Sequence, residues 1–141
     1  MRWTAAALFA LLLAAAGCGP PQPSNPAAER AATEVAAKWL ALMDEGKNAE
    51  AWDAAGSYLQ AVIPKQRWIE GVAPARRIMG KLVSREVGSA RYATELPGLP
   101  DGEYVLIQYK TAFENKKAAA EAVTVAHEKD GAWRVAGYFI R

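Results

Sequence analysis

Residues 104–113 read YVLIQYKTAF, a run of β-branched and aromatic side chains that is typical of a β-strand. A turn rich in proline and glycine precedes this run at residues 97–102, and the polar turn ENKK follows it at residues 114–117. Further alternating segments predict strands at residues 81–96, 118–128 and 133–140. The first of these is expected to be one long strand or two short ones, with a bulge at Gly88.

Helical spacing precedes the strands. Asn25 and Pro26 form a helix-start signal, and apolar residues then recur on one face as far as Gly46. A second helix is expected at residues 48–56. A third begins near residue 57 and is expected to be interrupted at Pro64 and bent or broken at Pro74.

This order of elements predicts an α+β domain. The N-terminal helices are expected to pack on one face of a curved, four-stranded antiparallel meander sheet, since short connections favour neighbouring strands. Cystatin-like and nuclear-transport-factor-2-like folds have the same order. Domains of this shape often enclose a cone-shaped pocket, but the shape alone does not define a function.

The first 17 residues have the layout of a signal peptide. Arg2 is the one charge before a short apolar run, which is below the length of about 20 residues that a membrane span needs. Residues 15–18 read AAGC and resemble a bacterial lipobox. We therefore expect residues 1–17 to be removed and Cys18 to carry a lipid that anchors the protein to a membrane. The alternative is ordinary cleavage after Ala16, which would leave an unpaired thiol on a soluble periplasmic or secreted protein.

Residues 18–26 are expected to form a lipidated, proline-rich tether, and residues 27–141 a single domain. The tether contains four prolines among polar residues, a composition that favours an extended spacer. Gly19 stands where an aspartate would resemble an inner-membrane retention signal. In a cell with two membranes, the expected location is therefore the outer membrane, with the domain facing the periplasm.

Composition argues against several classes of function. The 17 Lys and Arg residues include Arg2, so 16 remain after the signal peptide against 15 Asp and Glu, and no nucleic-acid partner is expected. His127 is the only histidine, which argues against a histidine metal cage. No phosphate-binding loop or nucleophile elbow occurs. We expect no metal and no cofactor, and we expect His127 to be solvated near a hairpin end.

Two charged residues, Arg85 and Glu121, are expected to point into the domain, because each shares a strand face with two valines. The valines are Val83 and Val87 for Arg85, and Val123 and Val125 for Glu121. Strands one apart in a meander lie about 9 to 10 Å from each other, so the two side chains can meet over a residue such as Tyr109. One interpretation is a salt bridge in the core, and another is a polar site within a ligand pocket, where Arg85 binds an anion. The third alternative is that the two side chains are exposed at an end of the sheet.

The tryptophans are expected to differ in burial. Trp39 and Trp52 have helical core spacing. Trp68 stands beside Arg67 and Glu70 on an interrupted helix and is the candidate surface contact, with a core aromatic as the alternative.

Several segments resemble one family of small exported bacterial proteins, catalogued as domain of unknown function 4019. The segments are residues 39–46, Trp52, Ser84, Arg85, residues 96–98, residues 100–104, Glu121 and residues 130–138. The resemblance covers nearly all of the domain after the tether. Asn48 departs from it, because the family usually has an aromatic residue there. The resemblance implies export and a single domain, and it implies no known activity.

Three functions are compatible with these features. We expect a non-enzymatic, membrane-tethered domain that interacts with an envelope protein or binds a small ligand. The first alternative is a cone-pocket enzyme that uses Glu121 and Tyr109 for proton transfer, which requires a carboxyl group with a raised pKa. The second alternative is a structural subunit of an envelope complex.

Overall fold

The computed structural model describes residues 23–141, so the expected signal peptide, Cys18 and the first part of the tether lie outside the described residues. Within this range four helices precede one four-stranded sheet. The helices are α1 (Pro26–Asp44), α2 (Asn48–Ala54), α3 (Ser57–Val62) and α4 (Lys65–Met79), and the strands are β1 (Leu82–Ala93), β2 (Tyr104–Phe113), β3 (Lys116–His127) and β4 (Trp133–Ile140). The strands are antiparallel in the order β1-β2-β3-β4, which confirms the predicted α+β architecture.

Helix α1 begins at the predicted cap and lies across the sheet. The side-chain oxygen of Asn25 accepts a hydrogen bond from the Ala28 amide at 3.1 Å, and Pro26 occupies the first turn. The helix contacts all four strands, and its buried face consists of three alanines and three large residues, Trp39, Leu40 and Met43. Small side chains let the helix approach the sheet closely, and the three large ones fill the space between them.

The inner face of the sheet supplies the other half of the core, through the fully buried side chains of Val105, Ile107, Val123, Val125 and Val135. Burial of each such side chain stabilises the fold by about 1.5–3 kcal/mol. Strand β1 is continuous, and its pairing with β2 shifts register between Val87 and Ser89, where Gly88 was predicted to form a bulge.

Val83 and Val87 do not lie in the core, contrary to the prediction. Their exposed fractions are 67% and 47%. Strand β1 is an outer strand of the sheet, and its register with β2 shifts at Val83 and again at Gly88, directly after Val87. Arg85, which lies between them, is partly buried.

Helix α4 continues through Pro74, so the predicted break is wrong. Proline cannot donate a hydrogen bond to the carbonyl one turn earlier, at Glu70. Pro74 and Glu70 both lie on the exposed side of α4, where water can reach that carbonyl. The cost of the missing bond is therefore low enough for packing to keep the helix intact.

The predicted surface position of Trp68 is also wrong. Its side chain is 5% exposed, and its ring lies 5.8 Å from that of Trp39. Its indole nitrogen donates a hydrogen bond to the backbone oxygen of Asn48 at 3.0 Å. Because α4 packs against α2, the face that carries Trp68 is covered, while Arg67 and Glu70 remain on the exposed face.

The connection between α2 and α3 covers the outer edge of β4. The Gly56 amide donates to the Val135 carbonyl at 2.8 Å, and the Ser57 amide donates to a Glu128 carboxylate oxygen at 2.9 Å. A Cβ at position 56 would lie 2.4 Å from that carboxylate oxygen and 3.3 Å from the Val135 carbonyl. Glycine therefore permits this close approach.

No helix in residues 23–141 has the length and apolar character that a membrane span requires.

Candidate functional site

A buried polar cluster joins the helices to the sheet. Asp44 comes from the last turn of α1, Arg76 from α4, Arg85 from β1 and Glu121 from β3, and Thr111 and Tyr138 complete the cluster from β2 and β4. The structure thus brings together Arg85 and Glu121, whose Nε and Oε1 atoms are 2.7 Å apart. Sequence reasoning did not identify the two helical residues or Tyr138.

Glu121 is fully buried, and both of its carboxylate oxygens are occupied. Oε1 accepts hydrogen bonds from Arg85 Nε and from the Thr111 hydroxyl, each at 2.7 Å. Oε2 accepts from Arg85 Nη2 at 3.3 Å and from the Tyr138 hydroxyl. Burial of a carboxylate is tolerated when it is paired and hydrogen-bonded in this way.

Tyr109 does not bond to Glu121, although the two residues face each other in the β2–β3 register. Its hydroxyl is buried and has no hydrogen-bond partner within residues 23–141. Burial raises the pKa of Tyr109 to about 12, and Arg85 offsets only part of that effect. Thr111, two residues further along β2, is the residue of that strand whose hydroxyl donates to Glu121.

Arg85 is fully engaged by carboxylates of the protein. Its Nη1 and Nη2 atoms donate to Asp44 at 2.7 and 2.9 Å, and Nε donates to Glu121. Burial alone would lower the pKa of Arg85, but these hydrogen bonds raise it above its usual value. Burial likewise favours a higher pKa for Asp44, and the bonds from Arg85 and Arg76 outweigh it and lower that pKa. Arg85 therefore acts as a structural link between α1 and the sheet.

Arg76 has hydrogen-bond donors that the protein leaves unused. Its side chain is only 9% exposed, and Nη2 donates to Asp44 at 2.6 Å. Nε and Nη1 are buried, and neither has a hydrogen-bond partner in the described part of the chain. The guanidinium carbon lies 4.9 Å from the centre of the Phe113 ring, which supports the charge without accepting these N–H bonds.

Arg76 lines a cavity of about 470 Å³, which we call the Arg76 cavity. It lies at the C-terminal end of α1, between α4 and the turn that joins β2 to β3. Its lining residues include Asp44, Asn48, Arg76, Arg77, Lys81 and Glu114. The side-chain oxygen of Asn48 is buried too, and no donor within residues 23–141 reaches it. Asn48 is therefore part of the cavity wall.

A second polar group, the surface cluster, consists of Tyr92, Glu103, His127 and Trp133. Glu103 accepts a hydrogen bond from the Tyr92 hydroxyl at 2.9 Å and lies 2.8 Å from His127 Nδ1. The imidazole stacks on Trp133, with ring centres 4.6 Å apart. His127 is therefore partly buried and paired, whereas the sequence predicted a solvated side chain. Glu103 raises the pKa of His127, and His127 together with Tyr92 lowers the pKa of Glu103.

Metal-binding side chains do not converge in this structure. Among residues 23–141, no group of three or more His, Cys, Asp or Glu side chains is placed to hold a metal ion. Cys18, the predicted lipidation site, lies outside the described residues.

The fold and the site together define an α+β domain in which a buried ion-pair cluster adjoins a polar cavity. Comparison with known families matches residues 35–138 to the family described as "Protein of unknown function (DUF4019)". The chain belongs to this family, and the resemblance seen in the sequence is confirmed. No curated protein and no solved structure matches the chain.

Proposed function

We propose that this protein is a lipid-anchored, non-enzymatic domain of the cell envelope that binds a small ligand in the Arg76 cavity. One observation carries the binding part of the proposal. Arg76 and Asn48 both line this cavity, and Nε and Nη1 of Arg76 and Oδ1 of Asn48 have no hydrogen-bond partner in the described chain. Buried polar groups are nearly always hydrogen-bonded to protein, ligand or ordered water, and a ligand in the cavity would supply such partners.

The state of Glu121 and Tyr109 favours binding over catalysis. A general base needs a lone pair that can reach a substrate proton. Each oxygen of Glu121 already accepts two hydrogen bonds from the protein, and the Tyr109 hydroxyl is buried without a hydrogen bond to Glu121. The cone-pocket enzyme therefore lacks an available acid–base pair at the position where the sequence suggested one.

The position of the cavity suits a ligand that arrives from the periplasm. Seven residues separate Cys18 from α1, and an extended chain of that length spans about 22 Å. Helix α1 has 19 residues and is about 28 Å long. The Arg76 cavity lies at the C-terminal end of this helix, whereas the proposed tether joins its N-terminal end, so the anchor would not join the domain beside the cavity.

Native mass spectrometry of the full chain, produced in a bacterial host and extracted in detergent, tests the proposal. We expect a mature protein that begins at a lipid-modified Cys18 and retains a reproducible small-molecule adduct. Cys18→Ser is the matched control for the anchor and should lose the lipid while retaining the adduct. A mature N-terminus at Gly17 with an unmodified thiol would refute the anchor. A bare protein under conditions that preserve weak complexes would refute the binding function.

A further inference from the structure

Two residues that line the Arg76 cavity carry complementary groups that have no hydrogen-bond partner within residues 23–141. The guanidinium of Arg76 offers N–H donors and a positive charge, and Asn48 offers a carbonyl oxygen. Because the Arg76 side chain is more than nine-tenths buried, bulk water screens its charge poorly. A ligand that fits both groups must contain an anionic acceptor and a separate hydrogen-bond donor.

The charges around the cavity favour a singly charged anion. Three basic residues line it, Arg76, Arg77 and Lys81, against the two acids Asp44 and Glu114. The excess is one positive charge. The cavity also adjoins the C-terminal ends of α1 and α4, where the helix dipole is unfavourable for added negative charge. A doubly charged phosphate would meet both obstacles, whereas a single carboxylate would be balanced by the one excess positive charge.

The same surroundings favour a donor on the other part of the ligand. Asn48 is the first residue of α2, and its side-chain oxygen has no donor within residues 23–141. A hydroxyl or an amino group of a ligand would donate a hydrogen bond to this oxygen. The cavity volume of about 470 Å³ falls within the range of small-molecule sites, which begins near 300 Å³.

We infer that the Arg76 cavity binds a small carboxylate that also carries a hydroxyl or amino group, with Arg76 binding the carboxylate and Asn48 accepting from the second group. This inference rests on the proposed function and names the ligand class for the same site. Hydroxy acids and amino acids, free or at the end of a short peptide, share this chemistry.

The test is a titration of the processed, ¹⁵N-labelled full chain in detergent micelles, followed by nuclear magnetic resonance at constant pH and ionic strength. The probes are L-lactate and L-alanine, compared with propionate, which lacks the donor, and with alaninamide, which lacks the carboxylate. The indole N–H of Trp68 reports on the site because it donates to Asn48, and that of Trp52, which donates to Ile63, is the internal control.

We expect lactate and alanine to shift the Trp68 signal and leave the Trp52 signal in place. Loss of one well-formed hydrogen bond should weaken propionate about tenfold relative to lactate. Alaninamide should cause no saturable shift. Equal affinities of lactate and propionate, or the absence of a saturable shift with lactate and alanine, would overturn the inference.

Two variants locate the binding groups. Asn48→Ala keeps the backbone oxygen that accepts from Trp68 and should abolish the difference between lactate and propionate. Arg76→Met should abolish binding of all the acids, with folding verified by the dispersion of the spectrum. Arg134→Met, which removes a partly exposed arginine that is not among the residues lining the cavity, is the matched charge control and should bind as the parent does. An Asn48→Ala protein that still prefers lactate would contradict the role of Asn48 even if Arg76→Met does not fold.

The two proposals can fail separately. If the native protein retains an adduct that has no carboxylate, or an adduct that persists in Arg76→Met, the binding function stands and the ligand class is wrong. If no adduct is retained and lactate and alanine cause no shift, both proposals are wrong.

Discussion

The buried cluster and the surface cluster are built from the same kinds of side chain and differ in their environment. In the buried cluster Glu121 binds Arg85 and Tyr138, and in the surface cluster Glu103 binds His127 and Tyr92. Glu121 and His127 lie six residues apart on β3, about 20 Å. Where water is excluded, the basic partner of the glutamate is an arginine, which cannot lose its proton. Where water has access, the basic partner of the glutamate is a histidine, a residue type that titrates near neutral pH.

The comparison predicts its largest effect for Glu121→Gln. Neutral glutamine would leave the buried guanidinium of Arg85 with Asp44 as its only carboxylate partner. Loss of one member of a buried ion pair costs about 3–5 kcal/mol, so we expect the free energy of unfolding to fall by that amount in urea titrations. Glu103→Gln is the same change in the surface cluster, and its free energy of unfolding should remain close to that of the parent. Equal losses in the two variants would show that burial does not distinguish the clusters.

A smaller loss is expected for Asp44→Asn, and its dependence on pH is specific. The two arginines hold the pKa of Asp44 below its usual value of 3.8, so its ionised form stabilises the fold. This contribution is complete above that value and is lost as the pH falls through the lowered pKa. Near neutral pH we expect a loss of about 2–3 kcal/mol, from hydrogen bonds to charged groups.

Urea titrations of the parent and of Asp44→Asn at a series of acid pH values measure this effect. The two curves of stability against pH should converge as the solution becomes more acidic than about pH 4. A constant difference down to the lowest pH would mean that the charge of Asp44 does not contribute.

The tyrosines provide a third comparison. Tyr138→Phe removes the hydroxyl that donates to the buried carboxylate of Glu121 and should destabilise the protein by about 1.5 kcal/mol. Tyr92→Phe removes the corresponding bond to the solvent-accessible Glu103, and we expect it to destabilise the protein less. The decreases in melting temperature of the two variants measure this difference. A larger decrease for Tyr92→Phe would reverse the proposed ranking of the two clusters.

The smallest effect is expected for His127→Gln, and it should depend on pH. Glu103 raises the pKa of His127 above 6.5, and Asp130 adds to that effect. The protonated form therefore stabilises the fold below about pH 6.5, and this contribution is lost as the pH rises through the raised pKa. Melting temperatures of parent and variant should differ most near pH 6 and least near pH 9. A difference that does not change with pH would indicate that stacking on Trp133 is the dominant interaction.

Local sequence patterns predicted the strands and much of α1 correctly, because turns and side-chain alternation depend on residues that are close in sequence. Strands β2 and β4 have the predicted bounds, Tyr104–Phe113 and Trp133–Ile140, and α1 has the predicted cap. Burial was harder to predict where it depends on the packing of one element on another. Trp68 is covered because α4 packs on α2, and Val87 is exposed because β1 is an outer strand.

The candidate site was predictable only within the sheet. Strand register could place Arg85 near Glu121, but the angle at which the helices cross the sheet brings Asp44 and Arg76 to the same point. One signal was available in the sequence. Asp44 stands in the last turn of α1, where the helix dipole is unfavourable for an acid, so its presence indicates a cationic partner. Tyr138 could have been suggested by its place two residues before Ile140, which pairs with Glu121.

The contact of Gly56 with β4 has a consequence for self-association. Outer strands of a sheet expose backbone groups that can recruit a strand from another molecule. The amide of Gly56 already occupies the Val135 carbonyl on that side of β4, and the register of β1, the other outer strand, is interrupted at Val83 and Gly88. Neither edge offers a long, regular template for a fibril. Copies at high local concentration, such as the proposed anchor would produce on a membrane, could therefore collide often without joining their sheets.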